Sequence, residues 1–496
     1  MSRYVLLPLL QLLTLMVLGQ DERWMRLLNG AGGPDLIGGV DQASDSTYRT
    51  IVRYNIGGTG IAVACGLDTS GEPLWWKPTS HSAGTLLCGL SRCVGVRADG
   101  TWLWAGSLIP GGNQDPDALV QAFTESGDSL WSIRLEQTGS QGCNAMTLTS
   151  DGGAALAGLH SDGENQFFIV RLSAFGDTLW TKRLGSSQHG ENAYSIDTTA
   201  DGGFILAGYK VQSGGQYDLH VMRTNATGQL LWQRSYGSPW DDNPGFISRH
   251  SAGGYLLAGA RKIAAVGLPK PVLYRLAENG DTLWSRDYPE DNNRVFFTRP
   301  IELEDGGCAV GGTATDTLNG AVVGMAMRLA VDGEPVWRRT YSTNLVVDQY
   351  VYDMRRTLDG GFILAGTAFD SALVSQDAWL VKVDSFGCLV PGCQVFDGVQ
   401  EQVTDLRDAL RLWPNPVHAQ GQLHVAIELP AGFALRGPLR LALTDAAGRL
   451  VQEHAVPDGV SAFSFPVSSL PSGLYHVHLL DATRWLSGGK VVVSPP

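Results

Sequence analysis

The sequence predicts an all-β fold, a seven-bladed β-propeller followed by a small C-terminal β-sandwich. Two repeated phrases and a change of composition near residue 400 lead to this prediction. The first phrase reads glycine, an acidic or polar residue, any residue, an apolar residue and tryptophan. It occurs six times and ends at Trp75, Trp131, Trp180, Trp232, Trp284 and Trp337, which by subtraction are 56, 49, 52, 52 and 53 residues apart. Self-similarity at a fixed period of this length is typical of repeat architectures.

The second phrase keeps the same period and marks hairpin turns. It is clearest in 201–208 and 359–366, where Asp-Gly-Gly precedes an apolar run. Weaker copies begin at Asp99, Asp151, Gly253 and Asp305, and a degenerate copy lies at Gly57. Glycine supplies the positive φ angles that tight hairpin turns need. The copies predict seven units, although the degenerate first unit leaves six or eight open.

Each unit contains four short stretches that are typical of β-strands. In the fourth unit these stretches are 232–236, 245–249, 255–258 and 273–276. A single four-stranded unit cannot bury both of its faces, whereas units stacked around an axis bury them against each other. We therefore expect the repeated tryptophans to pack between neighbouring units.

The two ends of the repeat predict how the ring closes. Trp24 stands 51 residues before Trp75 by subtraction, so it fits the period as an opening tryptophan. The last unit ends at 386–388 without a tryptophan. We therefore expect 24–28 to form a strand that pairs with 379–383 and completes the last unit.

The N-terminal residues and the charge balance limit where the protein acts. Residues 1–19 are predicted to be a signal peptide, with Arg3 before an apolar run over 5–18 that is too short for a membrane span. No later segment is predicted to cross a membrane. The net charge of −13 and the lack of a Lys/Arg cluster argue against nucleic acid as a partner.

Cysteine spacing suggests disulfides in an exported protein. Two pairs, Cys88 with Cys93 and Cys388 with Cys393, are each five residues apart and could close small loops. The other cysteines lie within or beside strand-like runs, where we expect small buried hydrophobic residues. They are Cys65, Cys143 and Cys308.

The composition changes after the repeats. The repeats are assigned to 20–393, a polar linker to 394–410 and a separate domain to 411–496. In this last segment, four alternating stretches predict a small β-sandwich. They are 423–427, 439–443, 462–465 and 474–479.

The C-terminal segment resembles the type A sorting domain of the bacterial type IX secretion system. The matching features are Pro414-Asn415-Pro416, the turn 445–449, the stretch 470–475 and Lys490 before the closing valines. Trp413 departs from the family, which more often has an aliphatic residue or tyrosine there. The resemblance implies a secreted or outer-surface protein of a Gram-negative bacterium, with the type IX machinery as a partner of the tail.

The repeat region looks like a large group of exported propeller proteins, and a binding or adhesion role is the function that we expect. Propeller loops surround a central funnel, a concave surface suited to ligands. A glycan or a surface protein is the expected ligand, and Trp240 and Phe246 are the candidate glycan-binding aromatics. A purely structural surface role remains the alternative.

No catalytic, cofactor-binding or metal-binding residue emerges from the sequence. His476 and His478 share one face of a tail strand and could hold a metal ion, but no third ligand is evident, so we expect them to lie on a solvent face. The acidic clusters 115–117 and 241–243 are candidate Ca²⁺ ligands, although solvated turns are the expected interpretation.

Catalysis is therefore not predicted, and two enzymatic alternatives remain. Residues 67–75 are similar to the tryptophan-docking repeat of quinone-dependent propeller dehydrogenases. Later copies, such as 171–176, keep the glycine but lose the Asp-Thr part. A glycan-active enzyme is a second possibility, but the Asp-box pattern of sialidases is missing.

Overall fold

The computed structural model describes residues 23–495 except for the following segments. These are 29–34, 57–58, 80–83, 89–90, 111–114, 186–189, 289–295, 316–319, 344–347, 371–374, 390–392, 394–400, 405, 407–408, 431–432, 436, 446–448, 458 and 482–483. The predicted signal peptide lies outside the described residues.

The described residues contain only strands and connecting turns, which confirms the all-β prediction. The first three antiparallel sheets, each given from its innermost strand outward, follow one another along the chain. They contain β2 (Leu36–Gln42), β3 (Tyr48–Ile56), β4 (Thr59–Leu67) and β5 (Pro73–Pro78); β6 (Gly84–Cys88) with β7 (Val94–Val96), β8 (Trp102–Pro110), β9 (Asp117–Phe123) and β10 (Ser129–Leu135); and β11 (Ser140–Leu148), β12 (Ala154–Ser161), β13 (Asn165–Leu172) and β14 (Thr178–Leu184).

The next sheets repeat this order. They contain β15 (Glu191–Thr198), β16 (Phe204–Val211), β17 (Tyr217–Thr224) and β18 (Leu230–Tyr236); β19 (Asn243–Arg249), β20 (Tyr255–Arg261), β21 (Lys270–Leu276) and β22 (Thr282–Asp287); β23 (Phe296–Phe297) with β24 (Ile301–Glu302), β25 (Cys308–Thr315), β26 (Val322–Leu329) and β27 (Pro335–Ser342); and β28 (Asp348–Arg356), β29 (Phe362–Asp370) and β30 (Ser375–Val383).

The N-terminal strand β1 (Trp24–Leu28) supplies the fourth strand of the seventh sheet. It pairs antiparallel with β30, with Trp24 opposite Lys382 and Leu28 opposite Ala378. This pairing confirms the predicted ring closure.

The repeated tryptophans contact a turn glycine in the following sheet. A Cβ atom built on Gly71, which has a φ of 78°, would lie 2.6 Å from the ring of Trp24. The same arrangement, with the tryptophan within 3.0 Å of the added atom, recurs in six further pairs. These are Trp75–Gly127, Trp131–Gly176, Trp180–Gly228, Trp232–Gly280, Trp284–Gly333 and Trp337–Gly387. The tryptophans therefore pack between sheets, as the sequence predicts.

Apolar clusters fill the spaces between consecutive sheets. One cluster contains Trp24 and Ile37 together with Ile363, and so joins the first sheet to the seventh. Burying both faces of each sheet in this way removes apolar surface from water, which is the main stabilising contribution to such a fold.

The C-terminal part forms two packed sheets. The first contains β32 (Leu410–Trp413), β34 (Gln422–Ile427) and β37 (Ala462–Pro466), and the second contains β33 (Val417–His418), β35 (Leu439–Asp445), β36 (Leu450–Ala455), β38 (Gly473–Asp481) and β39 (Arg484–Ser494). Buried side chains from both sheets, among them Leu423, Leu441 and Val477, share one core.

The segment predicted as a linker contains a strand. Strand β31 (Glu401–Thr404) pairs in parallel with β27 on one side and with β39 on the other. The sixth sheet of the ring and the tail sheet therefore form one continuous sheet. Before this strand, Cys388 and Cys393 form the predicted disulfide, with Cα atoms 5.6 Å apart.

The expectation that His476 and His478 face solvent is wrong. His478 is fully buried, and its Nε2 lies 3.0 Å from Thr444 Oγ1. On the same face of the tail sheet, Leu480 joins a cluster with Trp337 of the sixth sheet of the ring. That face covers the propeller, so alternation along β38 does not place these histidines in water.

The other cysteine predictions have two outcomes. Cys65, Cys143 and Cys308 are buried, as expected of small apolar residues. The predicted pairing of Cys88 with Cys93 is not found: the side chain of Cys88 lies outside the described residues, and Cys93 is a thiol whose Sγ donates to the carbonyl of Asn144 at 3.3 Å.

Candidate functional site

The innermost strands of the ring are irregular, and this decides which side chains reach its centre. The pairing register shifts between Ala193 and Ser195 in β15 and between Val351 and Asp353 in β28. Similar shifts occur in β2, β11 and β19. In the second and sixth sheets the innermost strand is divided, into β6 with β7 and β23 with β24. Bulges of this kind re-aim a side chain out of the regular alternation.

A pocket of about 250 Å³, here called the aromatic pocket, lies among the fourth to seventh sheets. Two of its aromatic residues, Tyr194 and Tyr352, are the ones skipped by the register shifts. The residues that line it are Tyr194, Asn243, Pro244, Phe246, Gly259, Ala260, Phe297, Thr298 and Tyr352. An apolar wall with a few polar groups is the usual composition of a small-molecule site.

The aromatic rings of this region contact one another. The rings of Tyr194 and Phe246 meet edge to face with centroids 6.3 Å apart, and the ring of Tyr209 lies 5.9 Å from that of Tyr194. Burial raises the pKa of Tyr194 and of Tyr352. Both phenols are therefore neutral at physiological pH and can donate a hydrogen bond to a ligand.

A second cavity, of about 290 Å³ and here called the arginine cavity, has charged walls. Five arginines and three carboxylates belong to its lining, although the chain as a whole is acidic. The lining residues, which come from six of the seven sheets, are Asp41, Arg92, Asp197, Ser248, Arg249, Arg299, Pro300, Ile301, Glu302, Met354, Arg355 and Arg356.

Asp197 is the carboxylate around which several cavity groups gather. It forms an ion pair with Arg299 and accepts a hydrogen bond from the backbone N–H of Arg249 at 3.0 Å. Burial opposes its ionisation, but the charges of Arg299 and Arg92 hold the pKa of Asp197 below its usual value. Asp197 is therefore ionised and committed to protein partners.

Arg355 connects parts of the ring that are far apart in sequence. Its Nη2 donates to the carbonyl of Val94 at 2.7 Å, and its Nε donates to Asp353 at 3.2 Å. Arg299 similarly donates from Nε to the carbonyl of Ile247 at 2.9 Å. These bonds fix the positions of two guanidinium groups in the cavity wall.

Arg92 differs from the other two. It lies in the break between β6 and β7, and its φ of 50° is in the left-handed region that L-residues other than asparagine and aspartate seldom adopt. Its Nη1 is 3.9 Å from Asp197, a longer contact than that of Arg299. Burial, followed by the charges of Arg299 and Arg355, lowers the pKa of Arg92.

The two aromatic residues proposed from the sequence have different outcomes. Phe246 lines the aromatic pocket. Trp240 is half-buried in the preceding loop, where its backbone N–H donates to Ser238 Oγ at 3.2 Å, and it does not belong to the pocket lining.

The candidate Ca²⁺ clusters use their oxygens within the protein. Asp242 accepts hydrogen bonds from the backbone N–H groups of Ser238 and Lys262, both at 2.7 Å. Asp117 pairs with Arg134, whose Nε is 2.7 Å away. Across the described part of the chain, no group of three or more His, Cys, Asp or Glu residues is placed to hold a metal ion.

The repeat similar to that of quinone-dependent enzymes is part of a turn. Asp68 accepts hydrogen bonds from the backbone N–H groups of Ser70 and Glu72 at 2.9 and 2.8 Å. The carboxylate therefore stabilises the turn that presents Gly71 to Trp24.

No helix among the described residues is long and apolar enough to span a membrane.

Comparison with known proteins identifies the tail. Residues 411–494 match the family described as the secretion system C-terminal sorting domain. The chain therefore carries a type IX sorting tail, which implies export from the cell. No curated protein matches the sequence.

Several solved structures resemble the chain distantly. A protein of unknown function from Bacteroides caccae is 15% identical, with a TM-score of 0.37, over 62% of this chain and 94% of that one. Sqt1 from Chaetomium thermophilum is 11% identical, with a TM-score of 0.39, over 72% and 99%. The β-1,2-mannobiose phosphorylase of Listeria innocua, in complex with β-1,2-mannobiose, is 13% identical, with a TM-score of 0.32, over 61% and 92%. Likenesses this distant assign no function to the chain.

Sequence reasoning missed most of the residues that line the two cavities. Tyr194, Tyr352 and Arg355 belong to innermost strands that carry no copy of either repeated phrase. The available signal was positional, because the innermost strand of each unit precedes the Asp-Gly-Gly turn and faces the axis. Polar and aromatic residues in those strands were therefore the candidates for the functional site.

Proposed function

We propose that the chain is an exported, non-catalytic binding module whose ligand occupies the aromatic pocket. The observation that carries the proposal is the grouping of Tyr194, Phe246, Phe297 and Tyr352 around one concave space in the ring. Rings held on a rigid β scaffold bind with little loss of conformational freedom, since their rotamers are already restricted by packing.

The pocket favours one small saccharide unit as its occupant. Its volume of about 250 Å³ lies just below the usual range of ligand pockets, which begins at about 300 Å³, so it has room only for a small group. A sugar ring presents apolar C–H groups that pack on aromatic faces, and its hydroxyls need polar partners. Asn243 and Thr298 in the lining, together with the tyrosine hydroxyls, offer such partners.

Export of the protein favours a ligand that is found outside the cell. The sorting tail directs the protein to the cell surface or the medium, where glycans and surface proteins are available. A surface protein as the ligand is the rival within the binding class, and it requires an epitope that inserts a side chain into the same pocket.

A glycan array with residues 20–496 tests the proposal. The wild-type protein is expected to bind a defined set of saccharides. Phe246→Ala is expected to lose at least about tenfold in affinity, because one stacking face and its apolar contact disappear. Phe175→Ala is the matched control, since Phe175 is 83% exposed on a turn outside the pocket.

Two outcomes would overturn the proposal. The first is a folded wild-type protein that binds no saccharide on the array. The second is a saccharide that binds the wild type and Phe246→Ala equally well, which would move the binding surface away from the aromatic pocket.

A further inference from the structure

We propose that the arginine cavity is a second binding site, which takes a small oxyanion group such as a carboxylate, sulfate or phosphate. This site uses residues other than those of the aromatic pocket, so it stands independently of the proposed saccharide binding. Its donors are the guanidinium groups of Arg92, Arg249, Arg299 and Arg355.

The charge of the cavity favours an anion. Two of the eight charged lining residues are engaged outside the cavity centre, because Glu302 accepts from Ser251 and Arg356 pairs with Glu304. Four arginines of the lining then remain, opposed by the carboxylates of Asp41 and Asp197. A third carboxylate, that of Asp353, is not part of the lining but pairs with Arg355. The local balance is positive in a chain whose net charge is −13.

The carboxylates of the cavity are largely committed to protein donors. Asp41 accepts from the backbone N–H of Val96 at 2.9 Å, and Asp197 accepts from that of Arg249 at 3.0 Å. These hydrogen bonds hold the carboxylates in place but leave their charges unchanged. Four guanidinium groups against three carboxylates still leave one net positive charge in the cavity for an added oxyanion.

The backbone at Arg92 supports a binding role. A left-handed conformation at a residue with a large side chain costs free energy, which glycine at the same place would avoid. Arg92 is one of two non-glycine residues with positive φ in the described chain, the other being Ser46. The guanidinium group that this backbone carries into the cavity has its nearest carboxylate contact at 3.9 Å.

Planar guanidinium groups select the ligand class. They donate paired N–H groups that match two oxygens of a carboxylate, sulfate or phosphate. Burial, followed by repulsion from Arg299 and Arg355, lowers the pKa of Arg92, and an anion placed among the three guanidinium groups would offset that repulsion. A cavity of about 290 Å³ admits such a group on a small molecule or on the end of a chain.

Isothermal titration calorimetry of residues 20–496 with sodium sulfate, phosphate and acetate tests the inference, with sodium chloride at equal ionic strength as the baseline. Saturable binding of at least one oxyanion is expected. Arg92→Gly should weaken it at least tenfold and leave the melting temperature unchanged or higher. Ser46→Gly is the matched control, because it relieves the same backbone conformation without removing a guanidinium group.

Arg249→Gln keeps the test decisive should Arg92→Gly fail to fold, because the Arg249 side chain is exposed at the cavity mouth. Weaker oxyanion binding in this variant supports the site. Absence of saturable binding in the wild type, or equal affinity in the wild type and the folded cavity variants, would overturn it. The three salts separate carboxylate from tetrahedral anions, and saccharide binding that survives in Arg92→Gly shows that the two sites are independent.

Discussion

The indole ring of Trp24 lies against Gly71, so closely that a Cβ atom on the glycine would come within 2.6 Å of the ring. The indole N–H of Trp24 also donates to the carbonyl of Thr69 in the same turn, at 2.7 Å. Trp24 belongs to the strand that completes the seventh sheet, whereas Gly71 belongs to the first sheet. This pair therefore joins the two ends of the ring.

Replacing Gly71 by alanine is expected to destabilise the protein by about 2–4 kcal/mol. The methyl group would both strain a backbone at φ 78° and overlap the Trp24 ring. Denaturant unfolding followed by tryptophan fluorescence measures the effect. Gly215→Ala is the control, because it has a φ of 85° but nothing within 4 Å of the added atom. Equal losses in the two variants would contradict a specific role for the Trp24 contact.

Trp24→Ala is expected to cost about 3–5 kcal/mol, as usual for a large aromatic removed from a packed site. Only 5% of the Trp24 surface is exposed. Limited proteolysis should then cleave the first and seventh sheets before the others. Trp76→Ala, at a 37% exposed tryptophan of the first sheet, should cost about 1 kcal/mol or less. Ring closure by β1 would be refuted by a Trp24→Ala protein as stable as Trp76→Ala.

Removing the tail is expected to weaken the sixth and seventh sheets. Trp485 and Leu480 of the tail share a cluster with Trp337 and Tyr341 of the ring. A chain ending at residue 400 would expose these ring residues, so it should bind more of an apolar dye and unfold at a lower temperature than 20–496. A truncated chain that matches the longer one in both measurements would show that this contact adds no stability.

The buried tail histidines predict a loss of stability in mild acid. Burial, followed by nearby positive charge, lowers the pKa of His476 to about 4 and that of His478 to about 3. The unfolded chain takes up these protons near pH 6.5, whereas the folded chain does not. Stability should therefore fall as the pH drops from about 6.5 towards 4, by about 1–3 kcal/mol for each histidine.

The difference between the wild type and His478→Gln isolates this contribution. The variant lacks the titrating ring but keeps a polar side chain beside Thr444. Thermal unfolding between pH 7 and pH 4 should show a smaller decrease in the variant than in the wild type. Parallel curves would mean that His478 is protonated in the folded protein as readily as in the unfolded chain.

The repeat architecture was predictable because its signals are local. Each turn glycine and each tryptophan, such as Gly71 and Trp24, has a role set by one hairpin or by one sheet contact. The ring-closing strand followed from the period and from the missing tryptophan of the last unit. The sorting tail followed from several short motifs in a fixed order.

The cavities could not be predicted in the same way, because they depend on relationships between distant strands. Tyr194 and Tyr352 face the aromatic pocket at shifts in pairing register, which two neighbouring strands create together. Arg355 and Val94, which meet at the arginine cavity, are 261 residues apart. His478 is buried because its face of the tail sheet covers the propeller, a contact that the alternation of residues within one strand cannot predict.

The position of a bound saccharide in a crystal shows whether the aromatic pocket is the binding site. Crystals of residues 20–496 would be soaked with the saccharide that binds most tightly on the array, and the ligand located by diffraction. Binding in the aromatic pocket predicts a sugar ring against Phe246 or Tyr352, with its hydroxyls near Asn243 or Thr298. A sugar ring bound only elsewhere on the chain, with the pocket holding solvent at saturating saccharide, would contradict it.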